Sequence, residues 1–181
     1  MGYEKIYQWS QSGKSITGFT LDLLKAQDMI QKENIFYHLE RPDRKLCGLL
    51  FKDRIYLIGS ERETQSQLLE AVIEEIINKF AEFYKFKLDS YEGAFVSEFR
   101  DFDGTISTIL DHLKDIVNVV MAYCDACGFS IHIIVKKSLF EKAENSYPIP
   151  LVYNHKGHAI LIYLDRQYHV RASEIVDLSS E

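Results

Sequence analysis

The chain has 181 residues, is 46% hydrophobic and 27% charged, and carries a net charge of -6 with a pI of about 5.5. A chain of this length buries roughly 70% of its unfolded surface, so it needs no disulfide to hold a core. The acidic balance argues against a nucleic-acid binder, which would carry a basic face. The basic residues are instead mixed with acids, as in Lys52-Asp53-Arg54 and Glu61-Arg62-Glu63.

The cysteines, Cys47, Cys124 and Cys127, are odd in number and suggest no disulfide framework. No apolar run approaches the roughly 18 residues of a membrane span. The opening Met1-Gly2-Tyr3-Glu4-Lys5 does not read as a secretory leader, and Ile6 stands where a myristoylation motif places Ser or Thr. The expectation is a cytoplasmic chain in a reducing compartment, with no membrane span.

In chain order, residues 4–9 and 15–21 read as two short strands around Gln11-Ser12-Gly13. A helix follows over about 21–32, and another strand over 35–39. Residues 46–51 and 55–58 form the clearest hairpin. Cys47, Leu49 and Phe51 lie on one alternation phase, and Leu46 and Leu50 on the other. A strand covered on one face alternates apolar with polar, so both hairpin strands are expected to be central. Ser60-Glu61-Arg62-Glu63 reads as a capping box opening a helix over 61–87. Leu69, Val72, Ile73, Ile76, Phe80, Phe83 and Tyr84 give that helix one apolar face. Glu70, Glu74, Glu75 and Glu82 form an acidic face expected to meet water.

Residues 88–103 are a connection punctuated by Tyr91, Phe95, Phe99 and Phe102. Asp103-Gly104-Thr105 then opens a second helix. Ile106, Ile109, Leu110, Leu113, Val117, Val120 and Cys124 carry it to about residue 124, roughly 33 Å, with Gly128 as its C′ stop. The tail is β-rich. Strands are expected over 131–135, 151–153 and 158–164, the last two paired around Asn154-His155-Lys156-Gly157, where Gly157 supplies positive φ. A final strand returns over 168–171.

Three patterns suggest chemistry. Gly13-Lys14-Ser15 looks like the end of a phosphate-binding loop, but Gln8 stands where that motif needs glycine, and a polar hairpin turn is the plainer reading. Cys124-Asp125-Ala126-Cys127 is a C-x-x-C. With His132 it offers three of the roughly four ligands of a zinc site, and no second C-x-x-C exists. Placed at the end of the expected helix, it lacks the positive helix terminus that favours thiolate in redox motifs. Two semi-buried cysteines are the plainer reading, so no metal and no cofactor is expected. Residues 157–165 are similar to the histidine-bearing strand of papain-like and transglutaminase-like enzymes. On that resemblance Cys127 would be nucleophile, His158 proton shuttle and Asp165 the orienting acid of a small hydrolase or acyltransferase.

Residues 35–110 resemble a longin or roadblock domain, the profilin-like α-β-α sandwich of trafficking and small-GTPase-regulating proteins. The order strand, hairpin, capped amphipathic helix carries the resemblance. So do the helix ending Phe80-Ala81-Glu82-Phe83-Tyr84 and the following Tyr91-Glu92-Gly93-Ala94-Phe95 with Phe99, Phe102 and Ile106. The fold class expected is α+β: an antiparallel sheet flanked by helices over 1–127, with a β-rich extension over 128–181 packed on the same core. The resemblance implies a non-catalytic adaptor or small-GTPase-associated module whose partner is a GTPase or a second copy of itself, as in a homodimer. Residues 5–20, as a polar sheet edge, and the outer face of helix 61–87 are the surfaces expected to meet that partner.

Overall fold

The apolar runs of the central hairpin pair as their alternation requires. The computed structural model describes residues 7–10, 28–89, 96–143 and 146–176, without the side chains of 86–89 and 96–98. The phosphate-loop-like Gly13-Lys14-Ser15, the strand over 15–21, most of the helix over 21–32, and Tyr91 and Phe95 lie outside those residues. Residues 7–10 are not in a strand. The fold is α+β, and the chain divides into two compact units, Met1–Asp115 and Ile116–Glu181. Among the described residues, no helix is long and apolar enough to cross a membrane.

In the first unit, β1 (Phe36–Glu40), β2 (Arg44–Phe51) and β3 (Arg54–Glu61) form an antiparallel sheet in the order β1-β2-β3. Lys52 and Asp53, at φ +48° and +59°, make the two-residue turn between β2 and β3, the backbone shape that matches strand twist. Helix α1 (Ser66–Asp89) lays Leu69, Ile73 and Ile77 on Cys47 and Leu49. The opposite phase of β2 is covered as well. A side chain at Gly48 would meet Ile30 Cδ1 at 2.4 Å and Leu57 Cδ2 at 2.7 Å. Beyond a 3₁₀ stretch, Val96–Phe102, comes α2 (Asp103–Asp111). Phe80, Tyr84, Phe99, Phe102 and Ile106 close a second, aromatic cluster, in which Phe80 and Phe102 meet edge to face at 5.1 Å between centroids.

Several expectations change here. β2 is central, but β3 is the last strand of its sheet among the described residues. Ser60 and Glu61 do not cap a helix. They pair with Lys45 and Arg44 in the β2–β3 ladder, which holds the backbone extended until α1 starts at Ser66. Glu70 does not meet water: it is only 9% exposed and accepts a hydrogen bond from His38 Nε2 at 2.9 Å. Phe83 is exposed instead of buried. The long second helix is the largest correction. α2 stops at Asp111, a 3₁₀ turn follows over Leu113–Asp115, and Val117–Cys124 is strand β4. The β-branched Val117, Val119 and Val120 lose χ1 freedom in a helix and pack well on a pleated surface, and eight ladder pairs to β5 reward the extended form.

The second unit therefore begins before the expected boundary at 127/128, which would have cut the β4–β5 hairpin at its turn. β4 pairs with β5 (Phe129–Lys136), a short helix α3 (Lys137–Ala143) follows, and β6 (Ile149–His155), β7 (His158–Leu164) and β8 (Val170–Val176) form a three-stranded antiparallel sheet. The expected turn is present, with Lys156 and Gly157 at φ +47° and +81°. Both sheets line one core of Val120, Ala122, Cys124, Ile131, Ile133, Val135, Ile160, Ile162 and Leu164. Each fully buried aliphatic side chain there contributes on the order of 1.5–3 kcal/mol. Leu139 and Phe140 of α3, an element the sequence did not reveal, pack against it.

Candidate functional site

The β4–β5 hairpin carries both the C-x-x-C and an uncovered apolar surface. Every second residue of β4 from Val120 onward, Val120, Ala122 and Cys124, is buried. The alternate set is also apolar and points away from the core. Val119 is 60% exposed, Met121 63% and Tyr123 49%. Their ladder partners on β5 are Ile134, His132 and Ser130. Paired residues share a face of the sheet, so these six form one outer face. The Tyr123 carbonyl behind it accepts a hydrogen bond from Ser173 Oγ of β8 at 3.4 Å.

The turn closing this hairpin is Asp125-Ala126-Cys127-Gly128. The amides of Cys127 and Gly128 both donate to the Cys124 carbonyl, at 3.2 and 2.9 Å, and Gly128 supplies φ +72°. Gly128 thus turns a hairpin and does not stop a helix. Cys124 is fully buried and Cys127 partly so, packed against the same core. Burial, then the contact with Cys124, raises the Cys127 thiol above its ordinary range, against the nearby Lys156 ammonium, which lowers it.

Lys156 comes from the β6–β7 turn, which lies at the same end of the unit. Its Nζ sits 4.9 Å from the centre of the Phe129 ring, and His155 meets that ring edge-on at 5.6 Å. His155 Nε2 is buried without a hydrogen-bond partner among the described residues.

This geometry sorts the expected site residues. Cys127 and His158 both lie near this end, since His158 pairs with His155 at the start of β7. Asp165 follows the last residue of β7, roughly 23 Å along the strand from His158 at about 3.3 Å per residue. There its Oδ1 accepts from the amides of Gln167 and His169, each at 2.9 Å, and its other oxygen pairs with Arg171. Burial alone would raise its pKa, but those hydrogen bonds and the Arg171 charge outweigh burial and hold the carboxyl below its usual range. Asp165 is thus the anchor of the β7–β8 turn and does not orient His158. The metal reading fares no better. Cys124 faces the core while His132 lies on the outer face beside Met121, so the sheet stands between them. Among the described residues no group of three or more His, Cys, Asp or Glu is placed to hold a metal ion.

The acidic face of α1 is broken in the same way. Glu70 is taken by His38, Glu82 pairs with Lys79 at 3.2 Å, and Glu74 and Glu75 are half-buried. The polar edge expected over 5–20 lies mostly outside the described residues. The outer face of β4 was legible in principle. Val119, Met121 and Tyr123 are an apolar set at spacing two, hidden because the other phase is apolar too. No family model, curated protein or solved structure matches the chain.

Proposed function

We propose that this chain is a non-catalytic protein-interaction module and that the outer face of the β4–β5 hairpin is where it binds. One observation carries this reading: Val119, Met121 and Tyr123 stand exposed side by side on a strand whose other face is buried from Val120 to Cys124. An apolar sheet face left in water is a cost that association removes, at roughly 25 cal/mol per Å². The resemblance of residues 35–110 to longin and roadblock domains supplies the class of partner, a small GTPase or a second copy of the chain. The β1–β2–β3 meander followed by α1 supports that resemblance, although the helix cap it included is absent. The expected triad of Cys127, His158 and Asp165 lacks its third member, because Asp165 lies at the far end of β7 from His158.

The test is light scattering across protein concentration, together with binding to small GTPases in both nucleotide states, for the natural chain and for Met121→Asp. Concentration-dependent dimers or GTPase binding, weakened at least tenfold by Met121→Asp, is the expected result. A chain that stays monomeric and binds no GTPase in either state overturns the proposal.

A further inference from the structure

We infer that Cys124 and Cys127 form a reversible dithiol–disulfide site that reacts with small-molecule disulfides, with Cys127 as the attacking and Cys124 as the resolving thiol. The inference stands apart from the binding reading and rests on the turn. A β-turn closed by a bond from its fourth amide to its first carbonyl holds those two Cα atoms within about 7 Å, and a disulfide spans about 4.4–6.8 Å. Cys127 N–H donates to the Cys124 carbonyl in that way, at 3.2 Å. The turn thus keeps the two Cα atoms close to the range that a disulfide spans.

The environments of the two cysteines divide the labour. Cys127 is partly exposed on the turn, whereas Cys124 is sealed in the core, so a reagent from solvent reaches Cys127 first. The Cys127 thiol loses its proton, and its sulfur attacks one sulfur of a small disulfide, expelling one thiolate and leaving a mixed disulfide on Cys127. Cys124, having lost its own proton, then attacks the Cys127 sulfur, forms the internal disulfide and expels the second thiolate. The protein gives up two electrons and two protons, and the small disulfide becomes two thiols. Lys156, whose ammonium lies near Cys127, favours the thiolate of the first step. Burial opposes it, so the exchange is slow and selective. Cys47, fully buried under α1 in the other unit, has no cysteine neighbour in sequence and serves as an internal control.

The experiment equilibrates the full chain in glutathione buffers from reducing to oxidising, quenches with acid, denatures, alkylates and digests with trypsin. Residues 115–136 form one peptide holding both Cys124 and Cys127, and Cys47 falls in 46–52. The expected result in oxidising buffer is a 115–136 peptide that has lost two hydrogens and takes no alkyl group, while 46–52 is still alkylated. Adding dithiothreitol restores both alkylation sites. Cys127→Ala, a change at the partly exposed position that leaves the core intact, leaves Cys124 alkylatable in every buffer. Cys124→Ala stops the reaction at a glutathione mixed disulfide on Cys127. A 115–136 peptide that still takes two alkyl groups in the most oxidising buffer overturns the inference. So does an unsubstituted chain that stops at the mixed disulfide, or a crosslink that forms only in denaturant.

Discussion

β2 and β4 are both eight-residue strands with apolar side chains on both alternation phases, and their surroundings differ. In β2 both phases are covered: α1 packs on Cys47 and Leu49, and Ile30 closes over Leu46 and Gly48. In β4 the inward phase is covered from Val120 to Cys124, and on the other phase Val119, Met121 and Tyr123 are left to water. Two apolar phases therefore state a demand for cover on both faces of a sheet. Whether the same chain supplies that cover is a separate matter. Where it does, as at β2, the result is a core. Where it does not, as at β4, an apolar face stays in contact with water.

The two strands should respond oppositely to charge. The largest effect is expected from Ile73→Asp, which places an unpaired carboxylate against β2 at a site 1% exposed. It should cost about 3 kcal/mol or more and shift the urea midpoint of the first unit strongly downward. Equal stability would mean that α1 does not seal β2. Next is Glu70→Ala, which removes the partner of His38 Nε2. The other ring nitrogen is already buried without a partner, so the loss should be about 1–3 kcal/mol, read by the same titration.

Smaller and more gradual is the response to alkali. Burial raises the phenols of Tyr7, Tyr56 and Tyr84 in the first unit, and of Tyr153 and Tyr168 in the second. Each favours the neutral form when folded. Their contribution is complete below the unfolded value of about 10 and is lost as pH rises through the raised folded values. Urea midpoints should stay level up to about pH 9 and fall above about pH 10 in both units. A fall confined to one unit would show that burial of the tyrosines differs between them. The smallest effect on stability is expected from Met121→Asp, within about 0.5 kcal/mol, although it should abolish association. A large loss of stability there would mean that the outer face of β4 is already covered within the chain.

The sequence was informative where one periodicity dominated. The β1–β2–β3 meander followed from apolar runs broken by Lys52 and Asp53, and the β6–β7 hairpin from Lys156 and Gly157. Most of the α1 face followed from steps of three and four. It misled where two periods fit the same residues. Val117, Val120 and Cys124 satisfy helical spacing after Ile106, Ile109, Leu110 and Leu113, yet Val120, Ala122 and Cys124 satisfy spacing two equally well. Pairing with β5, which lies outside any local window, decides between them. Glu70 looked solvent-facing because nothing near it in sequence announces His38, thirty-two positions earlier. For the site, Cys124 and Cys127 were visible as a motif, but their setting was read from the wrong element. That His132 is set apart from Cys124, and Asp165 from His158, emerged only once the faces and ends of the strands were known.

One consequence of the alternation in β4 concerns how the chain chooses among its own pairings. A slip of one residue exchanges the two faces of a strand. In most half-buried strands that exchange is forbidden, because it drives polar groups inward. Here it would trade Val120, Ala122 and Cys124 for Val119, Met121 and Tyr123, one oily set for another, and hydrophobicity alone barely distinguishes the two alignments. The choice then falls to the turn. Gly128, with its positive φ, fixes which residue of β4 meets Phe129, and so decides which cysteine is sealed and which aromatic is displayed. A glycine with no side chain thereby selects the chemistry of both faces.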